Sequence, residues 1–336
     1  PMFAPPGGRF PPNLPPLFFS TVFSLVLIRC CFANTIGCMQ LPAELESLFT
    51  QGVTEVMFVG ARNCYLDKSG VLSAVQSPLS DDSEFGELLI ELALEAGARL
   101  DIAKPLADFR VANYRLSAQL KSAVADRPCL TIRKHPKTAI TLDHLMAAGS
   151  LTRGQADFLV EVLRQGKTLL ISGPTSAGKT TLLGALIRAS DQRVVLVEQT
   201  PELVLDPPSI RLTERPNNQQ GVGLISQSEL LTVALRMRPD RLAIGEVRGA
   251  EFVALLQAVN NGHPALATIH SRTIQDLASR LILLGQLASV SAELVATLCQ
   301  AIDFVIQVEN LAGHRKLSKI GKFISEPDFG VVEIEV

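Results

Sequence analysis

At 336 residues the chain has room for two domains with separate cores, and its aliphatic, aromatic-poor composition (47% hydrophobic, 5% aromatic) suits an α/β architecture. A formal net charge of −2 and a pI near 6.3 argue against a protein that wraps a nucleic-acid backbone. Six scattered cysteines with no C-x-x-C pair argue against a zinc ribbon or a disulfide framework and suit a reducing cytoplasm.

Residues 1–38 differ from the rest: a Pro-rich opening leads into an apolar run, 17–28 (LFFSTVFSLVLI), that Arg29 ends. The run is shorter than the ~20 apolar residues of a spanning helix, and no convincing small-residue cleavage site follows it. We expect this segment to lie outside the fold, with Met39 as the natural start; a membrane-associating tail is the alternative. Residues 39–135 read as a small mixed α/β domain. In it, 54–59 alternates as a strand, 64–67 and 71–75 form a hairpin, 84–98 is a helix with an apolar face, and 108–119 and 129–133 alternate again. His135-Pro136-Lys137-Thr138 breaks the pattern as a linker. The second domain, 136–336, opens with helices over 141–147 and 153–165.

A short β-prone run, 168–171, then leads into Gly173-Pro174-Thr175-Ser176-Ala177-Gly178-Lys179-Thr180, which satisfies G-x-x-x-x-G-K-[ST] at every fixed position, and an amphipathic helix starts at Thr181. Strand, glycine-bounded turn and helix start together aim unpaired N–H groups and the positive helix end at a polyphosphate. The glycines allow close backbone approach, Lys179 supplies charge to the β- and γ-phosphates, and the Thr180 hydroxyl is a Mg²⁺ ligand. Nucleotide binding is the expectation, with residues 173–181 as its binding set.

Strands follow at 194–198, 242–246, 265–270 and 304–308 in nearly continuous apolar runs, as a parallel sheet covered on both faces requires. Three of them end at Glu198, Glu246 and His270, which converge near the phosphates if ligands sit outside the carboxyl ends of the strands. Glu246 is the candidate Mg²⁺ ligand, through water, or the group that orients the attacking water. Glu198 or Glu202 polarises that water, Glu198 being better placed at its strand terminus. His270 is placed to sense the γ-phosphate, while His263 is equally readable as an ordinary polar group. Residues 205–223 read as a surface loop with no catalytic part. Arg110, Arg115 and Arg133, all on strand-like segments, are candidates for stabilising charge on the transferred phosphoryl group.

Four blocks carry a resemblance: GPTSAGKTT (173–181), VVLVEQTPEL (194–203), LRMRPDRLAIGEVRGAE (235–251) and NNGHPALATIHS (260–271). They resemble the Walker A, acidic, Walker B and histidine boxes of the secretion ATPase superfamily, the motors of type II and type IV secretion, conjugative transfer and tight-adherence pili. Upstream, PLADFRVANYRL (105–116) and LTIRK (130–134) are similar to that family's arginine-bearing segments. The resemblance implies a RecA-like P-loop domain behind a PAS-like N-terminal domain and Mg²⁺-dependent ATP hydrolysis. It also implies a hexamer that works with membrane platform proteins at the cytoplasmic face of the inner membrane, without direct contact to nucleic acid. Gln199 stands where the family carries a second acid, and residues 264–266 replace a glycine-serine pair, so slow hydrolysis is one expectation. The tetracysteine module of the type II branch is absent, which leaves the type IV and tight-adherence branches. A RecA-like nucleic-acid translocase and a ring subunit that binds ATP but scarcely hydrolyses it are the alternatives.

Overall fold

The computed structural model describes residues 40–68, 71–134, 140–215, 223–311, 313–325 and 329–335. The expected N-terminal segment and the expected linker fall outside them. The chain divides into two compact units: one takes the described residues to Leu48 with 57–64 and 76–132, and the other takes 49–56, 65–75 and the residues from Arg133 onward. Among the described residues no helix is long and apolar enough to cross a membrane.

A short helix α1 (Ala43–Glu46) precedes β1 (Val53–Val59), β2 (Asn63–Lys68), β3 (Val71–Gln76), β4 (Leu106–Val111), β5 (Tyr114–Gln119) and β6 (Cys129–Lys134). These strands form a six-stranded sheet in the order β3-β2-β1-β6-β5-β4. The stretch 108–119, which alternates without a break in sequence, folds as two antiparallel strands because Ala112 adopts φ 51° and turns the chain. Helix α2 (Asp82–Glu95) starts earlier than its apolar pattern implies. Asp81 accepts hydrogen bonds from the Ser83 and Glu84 amides as its cap, and Gly97, at φ 71°, ends the run. Its buried Phe85, Leu89 and Leu92 form the apolar face, with the Phe85 ring 5.6 Å from Phe58.

The second unit adds helices α3 (Leu142–Ala147), α4 (Arg153–Arg164), α5 (Lys179–Ala189), α6 (Gln227–Leu235), α7 (Glu251–Asn260), α8 (Asp276–Leu287) and α9 (Ala292–Cys299). Its strands are β7 (Leu169–Gly173), β8 (Val194–Glu198), β9 (Ile210–Thr213), β10 (Arg241–Val247), β11 (Ala265–His270), β12 (Phe304–Leu311), β13 (His314–Ile324) and β14 (Gly330–Ile334). The sheet order is β14-β13-β12-β7-β11-β10-β8-β9. Both faces are covered, and successive residues serve different cores. Leu170, Val195, Val197 and Ile244 join one apolar cluster, while Leu169, Ile171, Val194 and Leu196 join the other. Double coverage is why these strands read as continuous apolar runs.

Two expectations need correction. From β12 to β9 the strands run parallel, as anticipated, but β13 and β14 extend the sheet antiparallel, so it is mixed. Residues 205–223 are not simply a loop: β9 pairs parallel with β8 and extends the sheet at its far edge.

Candidate functional site

β7 is the strand between β11 and β12, and its last residue is the first glycine of the loop. A Cβ at Gly173 would overlap the Val308 carbonyl of β12, so only glycine lets the chain leave the sheet there. Ser176 (φ 61°) and Gly178 (φ 96°) take left-handed backbone conformations, the kind of turn that makes successive N–H groups converge on an anion. Gly178 is the N-cap of α5 and no side chain caps the helix, which leaves its first amides to an anionic ligand.

Lys179, only 6% exposed, folds back into this turn. Its Nζ donates to the carbonyls of Gly173 (3.0 Å) and Pro174 (2.8 Å) and meets His270 Nδ1 at 3.1 Å. Burial pulls its pKa down to about 8, with the Arg248 charge adding to the fall and the Glu246 carboxylate opposing it. His270 ends β11 directly beside Gly173 in the register. Burial and the Lys179 charge hold its pKa below the ordinary value, against the Glu246 carboxylate. A neutral imidazole whose Nδ1 accepts from Lys179 carries its proton on Nε2, and Nε2 lies 2.9 Å from Glu246 Oε1.

Glu246 owes its position to a bulge. The β10–β11 register slips between Ile244 and Val247, so one extra residue is inserted at Gly245-Glu246, and the Thr268 hydroxyl donates to the Gly245 carbonyl at 2.6 Å. Arg248 Nη2 donates to Glu246 Oε2 at 2.6 Å and Nη1 to Gln199 Oε1 at 3.2 Å. Burial pushes the Glu246 carboxyl up, but Arg248, His270 and Lys179 together hold it below the usual glutamate value. The approach of His270 is not aligned as a hydrogen bond, so Glu246 Oε1 is a buried carboxylate oxygen without a donor. Such an atom fits a cation or its bound water, and Thr180, in the first turn of α5, supplies a hydroxyl of the right hardness.

Glu198, at the end of β8, is 2% exposed and lies against Gly245, where a Cβ would come within 2.9 Å of its Cγ. Its Oε2 accepts from Arg211 Nε at 2.7 Å and its Oε1 from the Glu202 amide at 3.3 Å. Burial still raises its pKa in spite of Arg211. The sequence reading missed Arg211 because the prolines and amides around it suggested a loop. No local pattern marks it, because β9 is four residues long and half-buried throughout. It also gave Arg248 no role, although it ties two strand ends together.

The structure therefore brings Lys179, His270 and Glu246 into one connected group within the second unit, with Glu198 beside Gly245. His263 does not join them: it precedes β11, at the opposite end of that strand from His270, and its amide binds the Ala258 carbonyl. Arg110 and Arg115 stand directly opposite each other on β4 and β5. Arg133, on β6, lies 3.4 Å from Glu55.

A mixed α/β sheet with one of its inner strands feeding a glycine-bounded loop and an open helix start is an arrangement on which phosphate-binding sites are commonly built. The chain belongs to the Type II/IV secretion system protein family, which residues 96–322 match. It is 35% identical over 290 residues to a putative conjugal transfer protein of Mycobacterium tuberculosis, covering 82% of each chain. It is 28% identical over 280 residues to the conjugal transfer protein TrbB of Rhizobium radiobacter, covering 80% of this chain and 83% of that one. The fold is similar to the ATPase DotB of Legionella pneumophila, at a TM-score of 0.59 and 21% identity, covering 84% of this chain and 80% of that one. It is also similar to the pilus retraction motor PilT with bound ADP, at a TM-score of 0.58 and 19% identity over 88% and 82%. The superfamily expected from the four sequence blocks is thus the one found.

Proposed function

We propose that this protein is an ATPase whose hydrolysis cycle powers type IV secretion or tight-adherence pilus assembly from the cytoplasmic face of the membrane, as a ring of six. The observation that carries the reading is the connection of a buried lysine in a glycine-bounded loop, through His270, to a strand-end carboxylate whose Oε1 lies 2.9 Å from the imidazole yet has no aligned hydrogen-bond donor. The conjugal-transfer names of two relatives support the process, and the ATPase and motor names of the structural neighbours support the chemistry by analogy of fold.

In this account residues 173–181 bind the triphosphate through their amides, and Lys179 exchanges its carbonyl and imidazole partners for the β- and γ-phosphates. His270, relieved of Lys179, becomes free to bond the γ-phosphate and report its loss. Glu246 orients the attacking water or holds Mg²⁺ through water, and Glu198, fixed by Arg211 at the neighbouring strand end, polarises that water. Thr180 and Glu246 are the groups that would hold Mg²⁺, which when bound neutralises charge on the β- and γ-oxygens. Arg110, Arg115 and Arg133 act on transition-state charge, a role that rests on the sequence resemblance alone. The working division is an N-terminal PAS-like domain, 39–135, and a RecA-like domain, 136–336.

Titration of the full chain with a fluorescent ATP analogue and Mg²⁺ tests the site. Lys179→Ala should weaken binding at least about tenfold, the worth of a charged hydrogen bond. Unchanged affinity contradicts the reading. Added DNA should leave turnover unaltered, and DNA-stimulated turnover would favour a translocase.

A further inference from the structure

The β12–β13 hairpin runs along the glycine-bounded loop and meets it at both ends. At one end Val308 of β12 excludes any side chain from Gly173. At the other, Arg315 of β13 lies against Gly178, where a Cβ would come 3.4 Å from Arg315 Cδ and 3.9 Å from its Cβ. The two-residue period of the strand fixes which way Arg315 faces. Leu317, two residues on, is buried in the cluster that contains Ala177, Leu182 and Leu183. Arg315 therefore stands on that same face, beside the start of α5, while Lys316 faces the other way.

Among the described residues none supplies Arg315 with an anionic partner. Arg315 is exposed, its cross-strand partner is the neutral Asn310, and among the described residues it pairs with no carboxylate; Lys316, by contrast, stands opposite Glu309. A guanidinium is always charged and presents a fork of donors that matches phosphate oxygens. Held over the last glycine of an anion-binding turn, it has a use that packing does not explain, since an exposed side chain stabilises little.

We propose that Arg315 is a nucleotide-binding residue that contacts the α- and β-phosphates, supplied by the same chain as the loop. The proposal rests on reading 173–181 as a triphosphate site. The choice of phosphates follows from position: amides around the second glycine cradle the α- and β-phosphates, whereas the lysine reaches β and γ. A contact to the diphosphate is made equally to substrate and product. Arg315 then sets how tightly ADP is kept, unlike groups that act only in the transition state.

The test is equilibrium titration of the full chain with fluorescent ATP and ADP analogues in Mg²⁺, for the wild type and for Arg315→Ala, Arg315→Lys, Lys316→Ala and Lys179→Ala, with thermal melting as the folding control. Arg315→Ala should weaken ATP and ADP alike by about tenfold and speed ADP release, and Arg315→Lys should fall between it and the wild type. Lys316→Ala, which removes the same charge from the opposite face, should stay within about twofold. Unchanged affinities in a folded Arg315→Ala overturn the proposal. So does a loss confined to ATP, or an equal loss in Lys316→Ala, which would mean only a diffuse field. If Lys179→Ala loses binding and Arg315→Ala does not, the triphosphate site stands and Arg315 falls. A wild type that binds neither nucleotide removes the site and Arg315 with it.

Discussion

Lys179 is a cation held inside a turn by two carbonyls and an imidazole, and its proton is only weakly retained. The folded chain releases that proton at about 8, whereas an unconstrained lysine keeps it to 10.5. Two consequences have opposite signs. In the window between those values the unfolded chain binds more protons, so the Lys179 contribution to stability rises with pH. Triphosphate affinity should instead fall as pH climbs through about 8, because the charge that attracts phosphate is lost. Nucleotide titrations between pH 7 and pH 9 check this: a flat profile in the wild type contradicts it, and Lys179→Ala should remove the slope. Glu198 gives a second prediction at this scale. Arg211→Ala leaves a carboxylate that is 2% exposed without its cation, and should cost about 2 kcal/mol in a denaturant titration. The figure is below that for a fully buried pair because the Arg211 side chain is 28% exposed and its charge is partly screened. The loop itself was legible because two glycines, a lysine and a threonine stand at a fixed spacing between a strand and a helix. Arg211 was not, since an ion pair between β8 and β9 leaves no mark on the local sequence.

Among the elements, the β10 bulge and the β12–β13 hairpin shape the site more than the regular strands do. The bulge inserts one residue at Gly245-Glu246, so an acid in an otherwise buried strand can keep one oxygen for a ligand. The hairpin closes one side of the loop: the Val308 carbonyl occupies the space that a side chain at residue 173 would need. Gly173→Ala must push β12 away or twist the loop. It should destabilise the protein by about 1–3 kcal/mol and weaken nucleotide binding together, and a variant with wild-type melting and affinity would contradict the packing described. The parallel strands were readable in sequence because burial on both faces demands unbroken apolar runs. β13 was not: Leu317, Ile320 and Phe323 are its buried apolar side chains, their spacing breaks the two-residue period, and lysines stand between them. β9, four residues long and half-buried throughout, is too short to register as a pattern.

For the whole molecule, the sequence matches establish the family, and the geometry of the site supports the proposed activity. Ring assembly belongs at this scale. Native mass spectrometry of the full chain with ATP and Mg²⁺ should find six copies, and a monomer at working concentration would count against a ring motor. The central claim is hydrolysis by the connected group of Lys179, His270 and Glu246. Phosphate release at saturating ATP and Mg²⁺, measured for the wild type, Lys179→Ala and Glu246→Gln, tests it most directly. We predict steady release from the wild type, none above background from Lys179→Ala, and a Glu246→Gln variant that still binds nucleotide but turns it over at least about a hundredfold more slowly. Equal release from all three would contradict the account.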